Sequence, residues 1–184
     1  MKRYEIRLSG SGGQGMITAG IILANAAAIY EGKNAVQSQS YGPEARGGAS
    51  KAEVIISHEE INYPKVTSPD FLAALTQEAY DKYSKDIKDD CIVLVDSAFV
   101  KDVDKDRGVL YSMPITETVL EKLGKQLGAN IATLAAANAL GGFVSEESLT
   151  KSVLSMIPKG TEELNKAAFQ IGLELARAAK NGYG

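Results

Sequence analysis

An α/β fold is what this 184-residue sequence predicts: a mainly parallel open sheet with helices on both faces and a glycine-rich loop after the first strand. Three observations carry it. Short β-rich runs alternate with longer helical runs. Cys91-Ile92-Val93-Leu94-Val95 stays apolar until Asp96, as a central parallel strand covered on both faces requires. An alternating run, Tyr4, Ile6 and Leu8, leads through Gly10-Ser11-Gly12-Gly13-Gln14-Gly15 into a stretch of Ile, Leu and Ala, so strand, glycine loop and helix follow in that order.

The first helix spans Met16 to Tyr30 and ends near Glu31-Gly32, with Gly32 as its C-cap. Asn34 to Ser40 is a second strand, and a loop through Gly48 leads to a third, Ala52 to Ser57. Glu59 to Pro69 is irregular, broken by Pro64 and Pro69. Phe71 to Thr76 is a fourth strand, followed by a polar helix to about Lys85; Cys91 to Asp96 and Val109 to Met113 are the fifth and sixth strands. Pro114 and Thr116 open a helix, Glu117 to Leu127. Asn130 to Leu140 is apolar all round, so it is buried, either in the domain or against another subunit, and Gly141-Gly142 stops it. Ile131 to Leu140 with Gly141-Gly142-Phe143 is the candidate subunit contact, and filling the domain's own core is the competing reading. Ser145 caps a helix to about Ile157, and Thr161 caps a last one whose apolar positions are Leu164, Ala168, Ile171, Leu175 and Ala178.

Composition narrows the function classes. With 45% hydrophobic and 23% charged residues the chain reads as a soluble globular protein, one domain over residues 1–184. A net charge of -3 without a Lys/Arg run argues against nucleic acid. The start enters a charged strand directly, which speaks against a signal peptide. The longest apolar stretch, Ile17 to Ile29, is short for a membrane span and contains Asn25. Cys91, the one cysteine, reads as a core hydrophobe and points to the cytoplasm. Together with the one histidine, His58, it excludes a self-contained iron–sulfur cluster or structural zinc site. His58, beside Glu59 and Glu60, reads as a solvated loop residue, and there is no nucleophile–base pair.

The chemistry therefore points to the loops. In the first, Gly10 is expected to take a tight turn, Gly12 to admit a ligand close to the backbone, and Gly15 to let the helix pack on the sheet. Helix-start N–H groups and the helix dipole favour phosphate or carboxylate there. The loop departs from the dinucleotide-binding pattern through Gly13 and Gln14, and no acid follows in Asn34 to Ser40 to hold a ribose. The second loop, Ser38 to Ser50, brings Tyr41, Arg46, Gly47 and Gly48 to the same sheet edge, Arg46 with a planar fork suited to anions. From the residues alone, a stand-alone nucleotide-binding protein, a scaffold gripping a partner chain and a pair of turns that bind nothing all stay open.

Taken together, Gly10-Ser-Gly-Gly-Gln-Gly15 and Ser40-Tyr-Gly-Pro-Glu-Ala-Arg-Gly-Gly48 resemble the gamma subunits of the 2-oxoacid:ferredoxin oxidoreductases. Glu31 to Gln39, Lys51 to Ser57, Tyr63-Pro-Lys-Val66 and Asn138-Ala-Leu-Gly-Gly-Phe143 fit as well, and the likeness is nearest to the gamma subunits acting on 2-oxoglutarate. The resemblance implies one part of a cytoplasmic assembly that converts a 2-oxoacid, coenzyme A and oxidised ferredoxin to acyl-CoA, CO2 and reduced ferredoxin. It implies alpha and beta partner subunits, in some members a delta subunit, with ferredoxin met through the complex; dimerisation of the chain stays open. Thiamine diphosphate, Mg and the iron–sulfur clusters are implied on those partners. For this chain it implies a share in binding coenzyme A and holding the assembly together, no catalytic residue, and coenzyme A contacts from Gly10, Gly12, Gly13, Gln14, Gly15, Tyr41, Arg46, Gly47 and Gly48.

Overall fold

The computed structural model describes residues 3–40 and 48–182. Their order is β1 (Tyr4–Ser11), α1 (Met16–Asn25) continuing as a π-helical segment (Ala26–Tyr30), β2 (Asn34–Gln39), β3 (Ala49–Ser57), β4 (Phe71–Ala74), α2 (Gln77–Tyr83), β5 (Ile92–Asp96) and β6 (Val109–Met113). Four helices close the chain: α3 (Ile115–Leu123), α4 (Ala129–Gly141), α5 (Glu146–Met156) and α6 (Glu162–Asn181).

The strands form one sheet in the order β2-β3-β1-β4-β5-β6. β1–β4, β4–β5 and β5–β6 pair in parallel, as the apolar β5 run demands. β3 is antiparallel to both β1 and β2, so the open sheet is mostly parallel with an antiparallel hairpin on one edge. The hairpin matters for the site. β2 runs in the direction of β1, and Ser11 pairs with Ala49, so the end of β2 and the start of β3 lie at the edge where β1 ends.

Helices cover both faces unequally. Ile6, Leu8, Val54, Ile56, Phe71, Ala73, Leu94 and Met113 alternate to one face, under α1, α3, α4 and α6. Leu72, Ala74, Cys91, Val93 and Val95 point to the other, under Ala79, Tyr80 and Tyr83 of α2. That second face also buries Arg7, whose Nε donates to Glu53 at 2.8 Å and whose Nη2 donates to Asp86 at 3.0 Å, tying β1 to β3 and to the turn after α2. A buried guanidinium is tolerable only when paired in this way.

Several local expectations shift. The first helix changes to π geometry from Ala26, and β3 begins at Ala49 rather than Ala52. β4 stops at Ala74, because Thr76 turns out to be the N-cap of α2, with its side chain accepting from the Ala79 N–H. The helix expected to end at Leu127 ends at Leu123, where Gly124 takes the left-handed conformation at φ 70°. Ser145 caps α5 as expected, but the Thr161 side chain caps nothing: its hydroxyl donates to the Pro158 carbonyl at 2.7 Å and closes the preceding turn.

α4 lies within the chain's own core. Ile131 to Ala137 and Leu140 are buried between α1, α3, α5, α6 and the sheet, and Phe143 packs edge-on against Phe71 with ring centroids 5.1 Å apart. These side chains are thereby unavailable for the subunit contact proposed for them. α6 turns Phe169, Ile171, Leu173 and Ala176 inward and leaves Ala178 exposed, since its seat on α4 is set where Gly172 meets the Ala132 backbone.

Candidate functional site

The glycine loop leaves β1 at Ser11 and enters α1 at Met16. Its glycines do other work than the pattern suggested. Gly10 still belongs to β1, and a β-carbon on it would collide with the Gln14 side-chain oxygen. The tight turning falls to Gly13 and Gly15, with φ of 91° and 77°, values that side-chain-bearing residues rarely adopt. Close packing of α1 on the sheet is given by Gly20, whose β-carbon would lie 2.8 Å from that of Ala52. Gln14 folds back over the loop, its side-chain oxygen accepting from the Ser11 N–H at 2.7 Å.

The two loops meet. The Gly12 N–H donates to the Gly48 carbonyl at 3.3 Å, and the Ser50 hydroxyl donates to the Gly10 carbonyl at 3.3 Å. Tyr41, Arg46 and Gly47 lie outside the described residues, so of the second loop the structure places only the flanks, Ser40 and Gly48.

α1 starts at Gly15 with no side-chain cap and no acid in its first turn. α4 starts the same way at Gly128, φ 102°, again without cap or acid. The two starts abut: a β-carbon on Gly15 would stand 2.7 Å from the Asn130 side-chain nitrogen. Gly13, Gln14 and Gly15 share with Gly128, Ala129 and Asn130 a cleft of about 370 Å³, floored by Leu75 and Thr116. On the other side of the loop a second cleft, about 390 Å³, runs along Gly12, Gly13, Ile17 and Thr18 to Ser40 and Ser50.

The remaining helix starts meet a capping oxygen or an acid of the same chain. Asp96, fully buried, accepts from the Thr116 N–H at 3.0 Å and its hydroxyl at 2.5 Å at the head of α3. At α5 the Ser145 hydroxyl accepts from the Ser148 N–H at 3.1 Å, while Glu31 accepts from the Ser145 N–H at 2.5 Å. Burial alone would raise the Glu31 pKa, but hydrogen bonds from Lys33 and Ser145 more than offset it and hold the carboxyl below its ordinary value. α6 carries Glu162 and Glu163 in its first turn.

Among the described residues no ionisable side chain lines either cleft. What the clefts offer is uncompensated backbone N–H, two helix dipoles and neutral amides and hydroxyls, which suits holding an anion rather than moving a proton. Among the same residues no three of His, Cys, Asp and Glu gather as metal ligands, and burial pushes the Cys91 thiol up to about 12, far from a reactive thiolate. His58 is exposed.

The α4 half of the first cleft was not among the expected site residues. Its signal was a glycine, Gly128, directly ahead of an apolar helical run with no Ser, Thr or Asp before it, hidden because residues 117–127 read as one continuous helix. Among the described residues no helix is long and apolar enough to cross a membrane.

Residues 5–175 match the family model described as pyruvate ferredoxin/flavodoxin oxidoreductase. The 2-oxoglutarate synthase subunit KorC of Methanocaldococcus jannaschii is 53% identical over 178 residues, 95% of either chain. The solved gamma subunit of a keto/oxoacid ferredoxin oxidoreductase from Geobacter sulfurreducens superposes with a TM-score of 0.87 at 51% identity, over 97% of this chain and 99% of that one. The 2-oxoglutarate:ferredoxin oxidoreductase of Magnetococcus marinus, solved with 2-oxoglutarate, coenzyme A and succinyl-CoA bound, matches 97% of this chain but 32% of its own longer one; at a TM-score of 0.86 and 24% identity it speaks for the fold alone.

Proposed function

The chain belongs to the pyruvate ferredoxin/flavodoxin oxidoreductase family, and from that premise we propose that its open cleft is where such an enzyme holds coenzyme A. The chain is a gamma-type subunit of a 2-oxoacid:ferredoxin oxidoreductase, an enzyme that joins the acyl group of a 2-oxoacid to coenzyme A, releases CO2 and passes two electrons to ferredoxin. In our reading residues 1–184 act as a single gamma-type domain, and 2-oxoglutarate is the substrate; the name of the KorC relative supports that choice.

The observation that carries the coenzyme A reading is the pair of unsealed helix starts, α1 at Gly15 and α4 at Gly128, facing one cleft. Coenzyme A is a polyanion joined to a long neutral arm. Its phosphates suit the backbone N–H groups of Gly13 and Gly15 at the head of α1 and of Asn130 at the head of α4, and the neutral arm suits a lining of Gln14, Thr116 and Asn130. Arg46, Tyr41, Gly47 and Gly48 join the site in this proposal as the charged and backbone contacts from the second loop. The iron–sulfur clusters belong on partner subunits, because this chain's one Cys and one His cannot furnish their ligands, and in our reading thiamine diphosphate and Mg sit there too, on alpha, beta and, in some assemblies, delta subunits. Those subunits carry the reaction and meet ferredoxin, and the enzyme works in the cytoplasm.

The test is Gln14→Glu in the complex purified with its partner subunits. The isosteric acid keeps an oxygen for the Ser11 N–H but sets a negative charge at the α1 start. We expect the coenzyme A dissociation constant to rise about tenfold or more while the melting temperature holds or rises, because a carboxylate at a helix start is stabilising by roughly 0.3–1 kcal/mol. Unchanged coenzyme A affinity would remove the cleft from the site. Titration with AMP and FAD alongside separates a coenzyme A site from a general nucleotide site.

A further inference from the structure

The main chain at Ala49 is held by a helix rather than by a strand. The bond from the Gly12 N–H to the Gly48 carbonyl makes residues 12 and 48 a hydrogen-bonded pair of the antiparallel β1–β3 ladder. The next pair, Ser11 and Ala49, therefore turns its main-chain groups away from each other. On the other flank of β3 the pairing with β2 reaches Ala52, and the Ser40 N–H adds one bond to the Lys51 carbonyl. The N–H and carbonyl of buried Ala49 go to α2 instead. The Tyr83 hydroxyl donates to the Ala49 carbonyl at 3.0 Å, and Glu78 accepts from the Ala49 N–H at 3.3 Å. Buried main-chain groups need partners, and here one helix supplies two to a single residue.

The Tyr83 side of this grip is itself braced. Its ring is buried, its own carbonyl accepts from the Arg7 Nη1 at 2.9 Å, and the charged groups of Arg7, Lys51 and Lys82 stand 5.4–5.9 Å from the ring centre. Glu53 accepts from both Arg7 and Lys51, at 2.8 and 2.7 Å. A buried tyrosine hydroxyl usually finds some acceptor, so the bond alone says little. Its address says more. Ala49 lies between Gly48, whose carbonyl takes the Gly12 N–H, and Ser50, whose hydroxyl reaches the Gly10 carbonyl. Three successive residues thus join α2, on one face of the sheet, to the glycine loop that feeds α1 on the other.

We propose that Tyr83 and Glu78 are positioning residues for the coenzyme A site: by gripping Ala49 they fix Gly48 against Gly12, and with it the glycine loop that carries the α1 start. Neither side chain lines the clefts beside that loop, so both act through the main chain of β3. The proposal rests on reading the cleft as the coenzyme A site. A loop held in its binding geometry before the ligand arrives has less freedom to lose on binding, and that is what the grip contributes.

The experiment compares Tyr83→Phe, which removes only the hydroxyl, with Ser152→Ala, which removes a buried hydroxyl bonded to the Ile22 carbonyl on the opposite face of the sheet. Both should lower the melting temperature of the full chain modestly. Only Tyr83→Phe should speed hydrogen exchange of the Gly12 N–H, read by NMR on the full chain. In the complex purified with its partner subunits, only Tyr83→Phe should raise the coenzyme A KM, about fivefold, with kcat at saturating coenzyme A held. Should Tyr83→Phe fail to fold, exposed Glu78 carries the same test: Glu78→Ala should raise KM, and Glu78→Gln, which keeps an oxygen for the Ala49 N–H, should restore it. Parental Gly12 exchange in Tyr83→Phe overturns the inference, as does a Glu78→Gln enzyme no better than Glu78→Ala. Faster Gly12 exchange with a parental KM also overturns it if Gln14→Glu weakens coenzyme A binding. Where Gln14→Glu leaves coenzyme A untouched as well, the grip on the loop stands and the coenzyme A reading falls.

Discussion

Two kinds of helix start share this molecule. α2, α3 and α5 begin against an oxygen of their own chain, from Thr76, Asp96 and Ser145 respectively. α1 and α4 begin at left-handed glycines with neither a capping side chain nor an acid in the first turn. α6 stands between, uncapped but with Glu162 and Glu163 to meet its dipole. A glycine at the cap position costs only a few tenths of a kcal/mol against Ser, Thr or Asp, so the two bare starts together forgo less than about 1 kcal/mol. The sealed start of α3 borders the same cleft through Thr116, while the two bare ones adjoin across Gly15 and Asn130 and open onto it. Two bare starts facing one cleft are what the proposed anion site rests on.

The largest blow to this contrast is Gly15→Ala. A methyl at φ 77° is strained, and it would press on Asn130 at 2.7 Å. Left-handed strain and overpacking together should cost about 3 kcal/mol and abolish coenzyme A binding, seen as a marked drop in melting temperature. A variant that melts with the parent would mean the left-handed start is dispensable. Ser145→Ala probes the sealed class: loss of the Ser148 N–H bond should cost about 1 kcal/mol in denaturant unfolding and leave the coenzyme A dissociation constant untouched. An effect on coenzyme A would erase the distinction between the two classes. Asn130→Asp sharpens it most finely. A carboxylate in the first turn of α4 should stabilise the fold by roughly 0.5 kcal/mol while weakening coenzyme A several-fold, stability and affinity moving in opposite directions. Movement of both in the same direction would show that Asn130 serves packing alone.

Local chemistry was legible where periodicity and punctuation state it. The alternation of Tyr4, Ile6 and Leu8, the apolar β5 run, the all-apolar α4 and the Ser145 cap each appear in the structure as read. Misreadings cluster where a residue's job depends on a distant neighbour. Gly10, Gly15 and Gly20 exchange roles because the Gln14 amide, Asn130 and Ala52 are what stand opposite them. Leu127 to Asn130 was read as a plain connection between two helices, because a glycine there looks the same whether it only links them or opens a cleft.

By itself the sequence determined an α/β chain, a glycine loop between β1 and α1, and too few Cys and His for an iron–sulfur cluster or structural zinc site within the chain, because backbone propensity, burial pattern and composition are written residue by residue. Only the tertiary structure decided that β3 turns antiparallel and brings Gly48 to Gly12, that α4 is spent on the core, and that its bare start joins α1 to complete the cleft. Those outcomes depend on which distant surfaces abut, and packing chooses among partners that the local pattern leaves equivalent.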